Sequence, residues 1–334
     1  MSNKEENKDE MTDTEFEELK NNKFKQQKLP AWRPVPTIWS TTITFVVFGL
    51  IFLAIGIVVL LYSNEIQEQT IEYDTICETQ VSPCKVQFNI TTKYVAPVMF
   101  YYQLDNFYQN HRRYVKSKSN SQLAGDNVDD LVLIKDDCDP IVNATDVGRA
   151  TTVSGIPLTG NMVANPCGLI AKSLFNDTYK LFYENKADPT KPIQININDT
   201  GIAWESDKAL KYKLPTINKF GKPIDWKDYL WTDITNEHFM VWMRPAGLPN
   251  FRKLWGRIQQ DLEPGIYTMS INSNYPVKGF NGKKYLVFST VNAFGGKNSF
   301  LGISYIVVGS ICLLMAILFI IGYNVHAGNQ KKST

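Results

Sequence analysis

The sequence predicts a membrane protein in which two transmembrane α-helices flank a large β-rich, antiparallel sandwich-like ectodomain with short helical insertions. Three observations predict it. No charged residue occurs between Arg33 and Glu65 or between Lys297 and Lys331, and each gap holds a long apolar run. A helix rises ~1.5 Å per residue, so ~20 apolar residues cross a ~30 Å hydrocarbon layer. Between the runs, apolar and polar residues alternate with period two, the pattern of strands that bury one face. The same segment holds four Asn-X-Ser/Thr sequons and four of the five cysteines, which fits an oxidising, glycosylating compartment.

Taken in order, residues 1–37 form a cytosolic tail. Its first 22 residues are acidic and poor in apolar side chains, as in disordered arms. Residues 24–34, FKQQKLPAWRP, interleave basic and aromatic side chains, and three prolines, Pro30, Pro34 and Pro36, prevent a long helix. That composition suits the headgroup zone of a membrane. The first span is placed at 38–62, the ectodomain at 63–299, the second span at 300–323 and a second cytosolic tail at 324–334. Lys23, Lys25, Lys28 and Arg33 precede the first span, whereas Glu65, Glu68, Glu72 and Asp74 follow it. The positive-inside bias therefore puts both termini in the cytosol. The apolar run is too long and too deep in the chain for a cleaved signal peptide.

Small residues recur every seven positions in both spans: Gly49, Gly56 and Ser63, then Gly302, Gly309 and Ala316. That period keeps them on one helix face, where another helix can approach closely. Neither span carries a charge, which argues against an ion or proton path through them.

Within the ectodomain, alternation predicts strands at 84–90, 193–198 and 267–271, and strand-like runs cover 96–104, 238–243 and 285–291. Segments near 168–183 and 249–260 look more helical. Residues 117–165 show little periodicity and are expected to form a long excursion. Cys77, Cys84, Cys138 and Cys167 allow three connectivities, of which neighbour pairing is favoured. The sequons lie at Asn89, Asn143, Asn176 and Asn198.

No catalytic signature stands out: there is no Cys-X-X-Cys, His-Glu-X-X-His or Gly-X-Ser-X-Gly. Three histidines at no ligand spacing make a metal site unexpected, and no cofactor is called for. A net charge of +2 gives no reason to expect nucleic acid as a partner. The unusual stretch is NFYQNHRRYVKS, 106–117, which packs Phe107, Tyr108 and Tyr114 around His111, Arg112, Arg113 and Lys116. One reading is a surface for anionic headgroups or acidic loops, since guanidinium groups bind carboxylate and phosphate bidentately. The reading favoured by the residues alone is an internal stacking and ion-pair cluster.

NFYQNHRRYVKS resembles a signature of the cell-division-control-protein-50, or Lem-three, family. FKQQKLPAWRP, NPCGLIAKSLFNDT at 165–178, VWMRPAGLPNFRKL at 241–254, NYPV at 274–277 and FGGKNSFLG at 294–302 resemble further family blocks, in order. The resemblance implies a non-catalytic accessory β-subunit of a type-IV P-type ATPase, a phospholipid flippase. It implies a one-to-one complex with the catalytic α-subunit, contact with membrane lipids, and passage through endoplasmic reticulum, Golgi and secretory vesicles to the plasma membrane. The subunit would act as a chaperone, supporting exit of the ATPase from the endoplasmic reticulum and movement of aminophospholipid to the cytosolic leaflet. Carried onto matching positions, the expected interface residues are Phe24, Leu29, Pro30 and Trp32, the faces bearing Gly49, Gly56, Gly302 and Gly309, and Arg112 and Arg113. The resemblance also implies the pairs Cys77 with Cys84 and Cys138 with Cys167. The alternative is a two-span ligand-gated ion-channel subunit with a glycosylated ectodomain. A pore needs polar lining, and the second span offers only Ser304, Ser310 and Cys312.

Overall fold

The two charge-free runs are helical in the computed structural model, which describes residues 17, 20–28, 36–126, 131–160, 162–184, 191–218 and 220–333. The first helix is Ile38–Asn64 and the second Ser299–Ser333. Each contains a stretch of 27 residues long and apolar enough to cross a membrane, Ile38–Asn64 and Ser299–Val325. The first helix outlasts its predicted span by two residues at its C-terminal end, and the second begins one residue before its own.

The described residues of 1–56 and 304–334 form one unit. In it the helices run side by side, with Trp39 against Tyr323, Phe45 against Phe319 and Phe52 against Tyr305 at ring-centroid distances of 6.0, 5.7 and 5.8 Å. Thr42, Gly49 and Gly56 on the first helix, and Gly309 and Ala316 on the second, are buried while most neighbours are exposed. A Cβ on Gly309 would lie 2.9 Å from the Gly49 carbonyl oxygen. The seven-residue stripes thus mark the faces on which the chain's own two helices meet.

Residues 57–303 form the second unit, built on two four-stranded antiparallel sheets. The strands are β1 (Glu68–Glu72), β2 (Cys84–Ile90), β3 (Val98–Leu104), β4 (Thr178–Tyr183), β5 (Ile193–Ile195), β6 (Phe251–Ile258), β7 (Gly265–Asn272) and β8 (Lys284–Thr290). One sheet has the order β1-β8-β3-β6 and the other β2-β7-β4-β5. β2 buries Cys84, Val86, Phe88 and Ile90 and exposes the residues between, as period two requires. The sheets face each other through Phe88 and Phe288, 5.1 Å apart, and Phe100 and Tyr179, also 5.1 Å apart. The predicted antiparallel sandwich with short helical insertions is present.

Four expectations need correction. Residues 238–243 belong to a helix, Glu237–Met243, that buries Phe239, Met240, Trp242 and Met243 at helical spacing. Residues 249–260, read as helical, hold β6, which pairs with β3 through a bulge opposite Phe100 and Tyr101. In 168–183 only Leu169–Lys172 is helical, and β4 follows. β5 is also shorter than 193–198, with Asn198 making an isolated bridge to Arg257.

The excursion at 117–165 is pinned at its ends. Cys138 is bonded to Cys167 and Cys77 to Cys84, with Cα atoms 5.7 and 5.3 Å apart. Beside the first bond, the buried Ser117 hydroxyl donates to the Cys138 carbonyl at 3.0 Å and accepts from the Leu169 N–H at 2.9 Å. Gly168, at φ 98°, presses so closely on the Ser117 carbonyl that no Cβ fits there. The segments 106–117 and 165–178 are therefore locked together.

Candidate partner interface

The stretch 106–117 divides into an inward and an outward half. Phe107 packs against Tyr114, Trp242 and Phe280, with centroids 5.8, 5.9 and 5.1 Å away. Gln109 is fully buried: its Oε1 accepts from the Ala246 N–H at 2.9 Å and its amide donates to the Tyr114 hydroxyl. Burial pushes the Tyr114 phenol up to about 12, so it stays neutral while it shares a 2.7 Å hydrogen bond with Ser173. These residues form the stacking part of the internal cluster that the residues alone favoured, whereas its expected ion pairs are not internal.

The arginines lie outside it. Arg112–Lys116 is a single helical turn, and Arg112, Arg113 and Lys116 are all exposed. Arg113 meets Asp139 at 3.0 Å, but both side chains are more than half exposed. Such a surface pair contributes at most ~1 kcal/mol. Among the described residues Arg112 has no ion-pair partner. Tyr108 is exposed beside them.

A second outward feature surrounds helix Glu237–Met243. Asn236 caps its start by accepting from the His238 N–H at 2.8 Å. The buried Lys253 amine closes its end, donating to the Val241 and Trp242 carbonyls at 3.1 Å and also to that of Arg244. A cation suits the negative end of a helix. Burial, reinforced by the nearby Arg244 charge, lowers the Lys253 amine to about 7. Arg244 holds Asp207 at 2.5 Å, keeping that carboxyl below its ordinary value, and its guanidinium lies 4.6 Å over the Trp204 ring. Trp204 and Leu210 are 65% and 70% exposed, large apolar side chains flanking one cation. Trp204 was missed as a surface feature: its signal was a lone Trp in GIAWESDK, without a periodic pattern around it.

Glu237 anchors this region to the chain before it. Its carboxylate accepts from the Gly201 and Ala203 N–H groups at 3.0 and 2.8 Å and pairs with Lys208 at 2.8 Å. Burial alone would raise its pKa, but the Ala203 N–H, Lys208 and the Gly201 N–H outweigh it and hold the group at about 2. A carboxyl depressed in the folded state stabilises above its unfolded value and stops doing so as pH falls through the folded one. At ~1.4 kcal/mol per unit, and reduced for partial solvent screening, the contribution is roughly 2 kcal/mol. Glu237→Gln is expected to lower the unfolding free energy by roughly that amount at pH 7. The gap to the parent should narrow as pH falls from 4.5 toward 2, which denaturant titrations across that range would check.

The remaining predicted positions fall as follows. Phe24 is 75% exposed in a turn that Asn22 closes by accepting from the Phe24 and Lys25 N–H groups. Leu29, Pro30 and Trp32 lie outside the described residues. Gly49 and Gly309 face one another, Gly56 and Gly302 are buried, and the outward faces of both helices carry exposed Ile, Val, Leu and Phe. Asn89 is exposed on β2, whereas Asn143, Asn176 and Asn198 are half-buried. Among the described residues no cluster of three or more His, Cys, Asp and Glu could hold a metal ion.

Comparison with known proteins then decides the lineage. The LEM3 (ligand-effect modulator 3) family / CDC50 family matches residues 59–329. The chain belongs to the CDC50 family. It is 39% identical to Cell cycle control protein 50A of Mus musculus, over 90% of this chain and 88% of that one. It is 39% identical to ALA-interacting subunit 3 of Arabidopsis thaliana, covering 91% and 86% of the two chains. Cell cycle control protein 50B of Homo sapiens is 33% identical, covering 91% and 93%. The CDC50 match takes in the stretch 106–117, both disulfides and the surface around Trp204 and Arg244, but starts after the segment at 24–34.

Proposed function

We propose that this chain is the non-catalytic accessory subunit of a type-IV P-type ATPase, a phospholipid flippase, bound one-to-one to the catalytic subunit. Its role is to stabilise the ATPase, permit its exit from the endoplasmic reticulum and support movement of aminophospholipid to the cytosolic leaflet. The observation that carries the proposal is family membership over most of the chain, with relatives named as interacting subunits. The flank charges put both termini in the cytosol and the β-domain on the lumenal or extracellular side.

Contact with the ATPase falls to groups that the chain's own fold leaves open. These are the exposed Arg112, the weakly paired Arg113, the Phe24 segment and the outward apolar faces of the two spans. A guanidinium without an internal carboxylate can meet an acidic loop or a phosphate at little desolvation cost. Gly49 and Gly309 serve the interface indirectly, by setting the spacing of the helix pair that a partner helix meets.

Cells lacking related subunits would test the proposal. A type-IV ATPase expressed there is expected to remain in the endoplasmic reticulum and to leave it when this chain is supplied. Aminophospholipid uptake at the cell surface should rise in step. An ATPase that reaches the surface equally without the chain would count against the chaperone role. The Arg112→Ala/Arg113→Ala double variant should fold normally yet recover less complex, by roughly ten-fold if two charge-assisted contacts are lost.

A further inference from the structure

We propose that the cleft beside Asn176 is the seat of that residue's own N-linked glycan, with the first N-acetylglucosamine packed into it. The inference rests on the lumenal orientation of the β-domain proposed above. The cleft has a volume of about 570 Å³ and is walled by Phe107, Tyr114, Leu169, Tyr275, Pro276 and Phe280. That size lies within the ~300–1,000 Å³ typical of small-molecule sites. Arg149, Lys172 and Asn274 supply polar groups to its lining.

Asn176 itself lines this cleft, and the other three sequon asparagines do not. Its side-chain amide has no hydrogen-bond partner among the described residues. The Asn198 side chain, by contrast, accepts from the Thr200 N–H of its own turn at 2.9 Å. The root of Asn176 is also fixed. Its carbonyl accepts from the Asn274 amide at 3.2 Å, and the next residue, Asp177, is clamped in the core. An attached sugar therefore starts from a set position at the cleft. Thr178, which completes the sequon, is exposed at the start of β4.

A pyranose has an apolar C–H face and a polar rim, matching aromatic walls with donors at the edge. Covering the walls removes apolar surface from water, while the acetamido and hydroxyl groups keep partners in the rim. The donor is a lipid-linked oligosaccharide diphosphate. An N–C bond forms at the Asn176 amide, the anomeric C–O bond to the diphosphate breaks, and the amide loses one proton.

The test uses the full chain made with high-mannose glycans. Native digestion with peptide N-glycosidase, followed site by site by mass spectrometry, should release the Asn176 glycan at least ten-fold more slowly than that at the exposed Asn89. Hydrogen exchange is then compared for the intact glycoprotein, for chain trimmed to one N-acetylglucosamine, and for chain fully stripped. Protection at residues 169–174 and 274–280 should persist with the single sugar and fall several-fold without it. Thr178→Ala should reproduce the stripped pattern and Thr178→Ser should restore protection. Equal release at Asn176 and Asn89, unchanged exchange on stripping, or a bare Asn176 beside occupied neighbours would overturn the proposal. Four bare sequons would overturn the lumenal orientation together with it.

Discussion

Lys284→Met is expected to lower the stability of the β-domain by about 3–5 kcal/mol, because it leaves Asp177 as an uncompensated charge in the core. Lys284 opens β8 and is 2% exposed. Its amine donates to Asp177 Oδ2 at 2.8 Å, to Ser273 Oγ at 2.7 Å and to the Tyr275 carbonyl at 2.8 Å. Asp177 further accepts from the Asn274 and Tyr275 N–H groups, both at 2.6 Å, and from the Tyr73 hydroxyl at 2.7 Å. Burial, with Tyr179 and Asp177 beside it, pushes the Tyr73 phenol well above its ordinary value, so it remains a donor at any physiological pH. One ion pair thus joins the chain after β1, the approach to β4, the turn after β7 and the start of β8, which belong to both sheets. Methionine keeps the length of the side chain but supplies none of the donors. Thermal unfolding should show the midpoint falling by roughly 10 °C, given ~2–4 °C per kcal/mol for a domain of this size. An unchanged midpoint would mean that the Lys284–Asp177 pair does not hold the two sheets together.

Gly309→Leu is expected to separate the two membrane helices. A Cβ at Gly309 would sit 2.9 Å from the Gly49 carbonyl oxygen and 3.0 Å from both the Leu53 backbone nitrogen and its Cγ. Two of these atoms are backbone, which cannot swing aside, so the helices must move apart along their contact. Close approach through small residues is the source of packing energy between helices in lipid, where no hydrophobic force drives them together. The readout is a short bifunctional cross-link between cysteines placed at Trp39 and Tyr323, whose rings are 6.0 Å apart, with Cys312→Ser to remove the spare thiol. Cross-linking should be efficient in the parent and drop at least ten-fold in Gly309→Leu. Gly322→Leu is the control, because a Cβ there meets nothing within 4 Å. Equal cross-linking in all three would show that the pair is not held by this contact.

The fold was legible where one face of a strand is buried and the other wet. β2 and β7 lie close to where period-two alternation placed them, and β3 and β8 close to the strand-like runs at 96–104 and 285–291. Legibility failed where a charge sits on the core face. In β6 the buried Lys253 and the bulge beside Trp255 break the alternation, so a strand resembled a helix. The opposite error at 238–243 has a different cause. The run is apolar on every side, and a run that short has no readable period. The Asn236 cap was the available signal. At the candidate interface, Arg112 and Arg113 were legible from composition, but their exposure was not. Their neighbours Phe107, Gln109 and Tyr114 face inward through contacts with residues near 170, 245 and 280, which no local pattern encodes.

The small-residue stripes show the same limit in another form. Their period identified a helix-facing surface, yet period alone cannot say which helix. Gly49 and Gly309 meet within the chain, so a partner has the outer faces left to use.

The most direct test of the central claim is affinity purification of this chain from membranes co-expressing it with type-IV P-type ATPases. The account predicts an ATPase catalytic subunit recovered at equal molar amount, with ATP hydrolysis confined to the complex and absent from the chain alone. Recovery of a homo-oligomer without an ATPase, conducting ions in a bilayer, would contradict it.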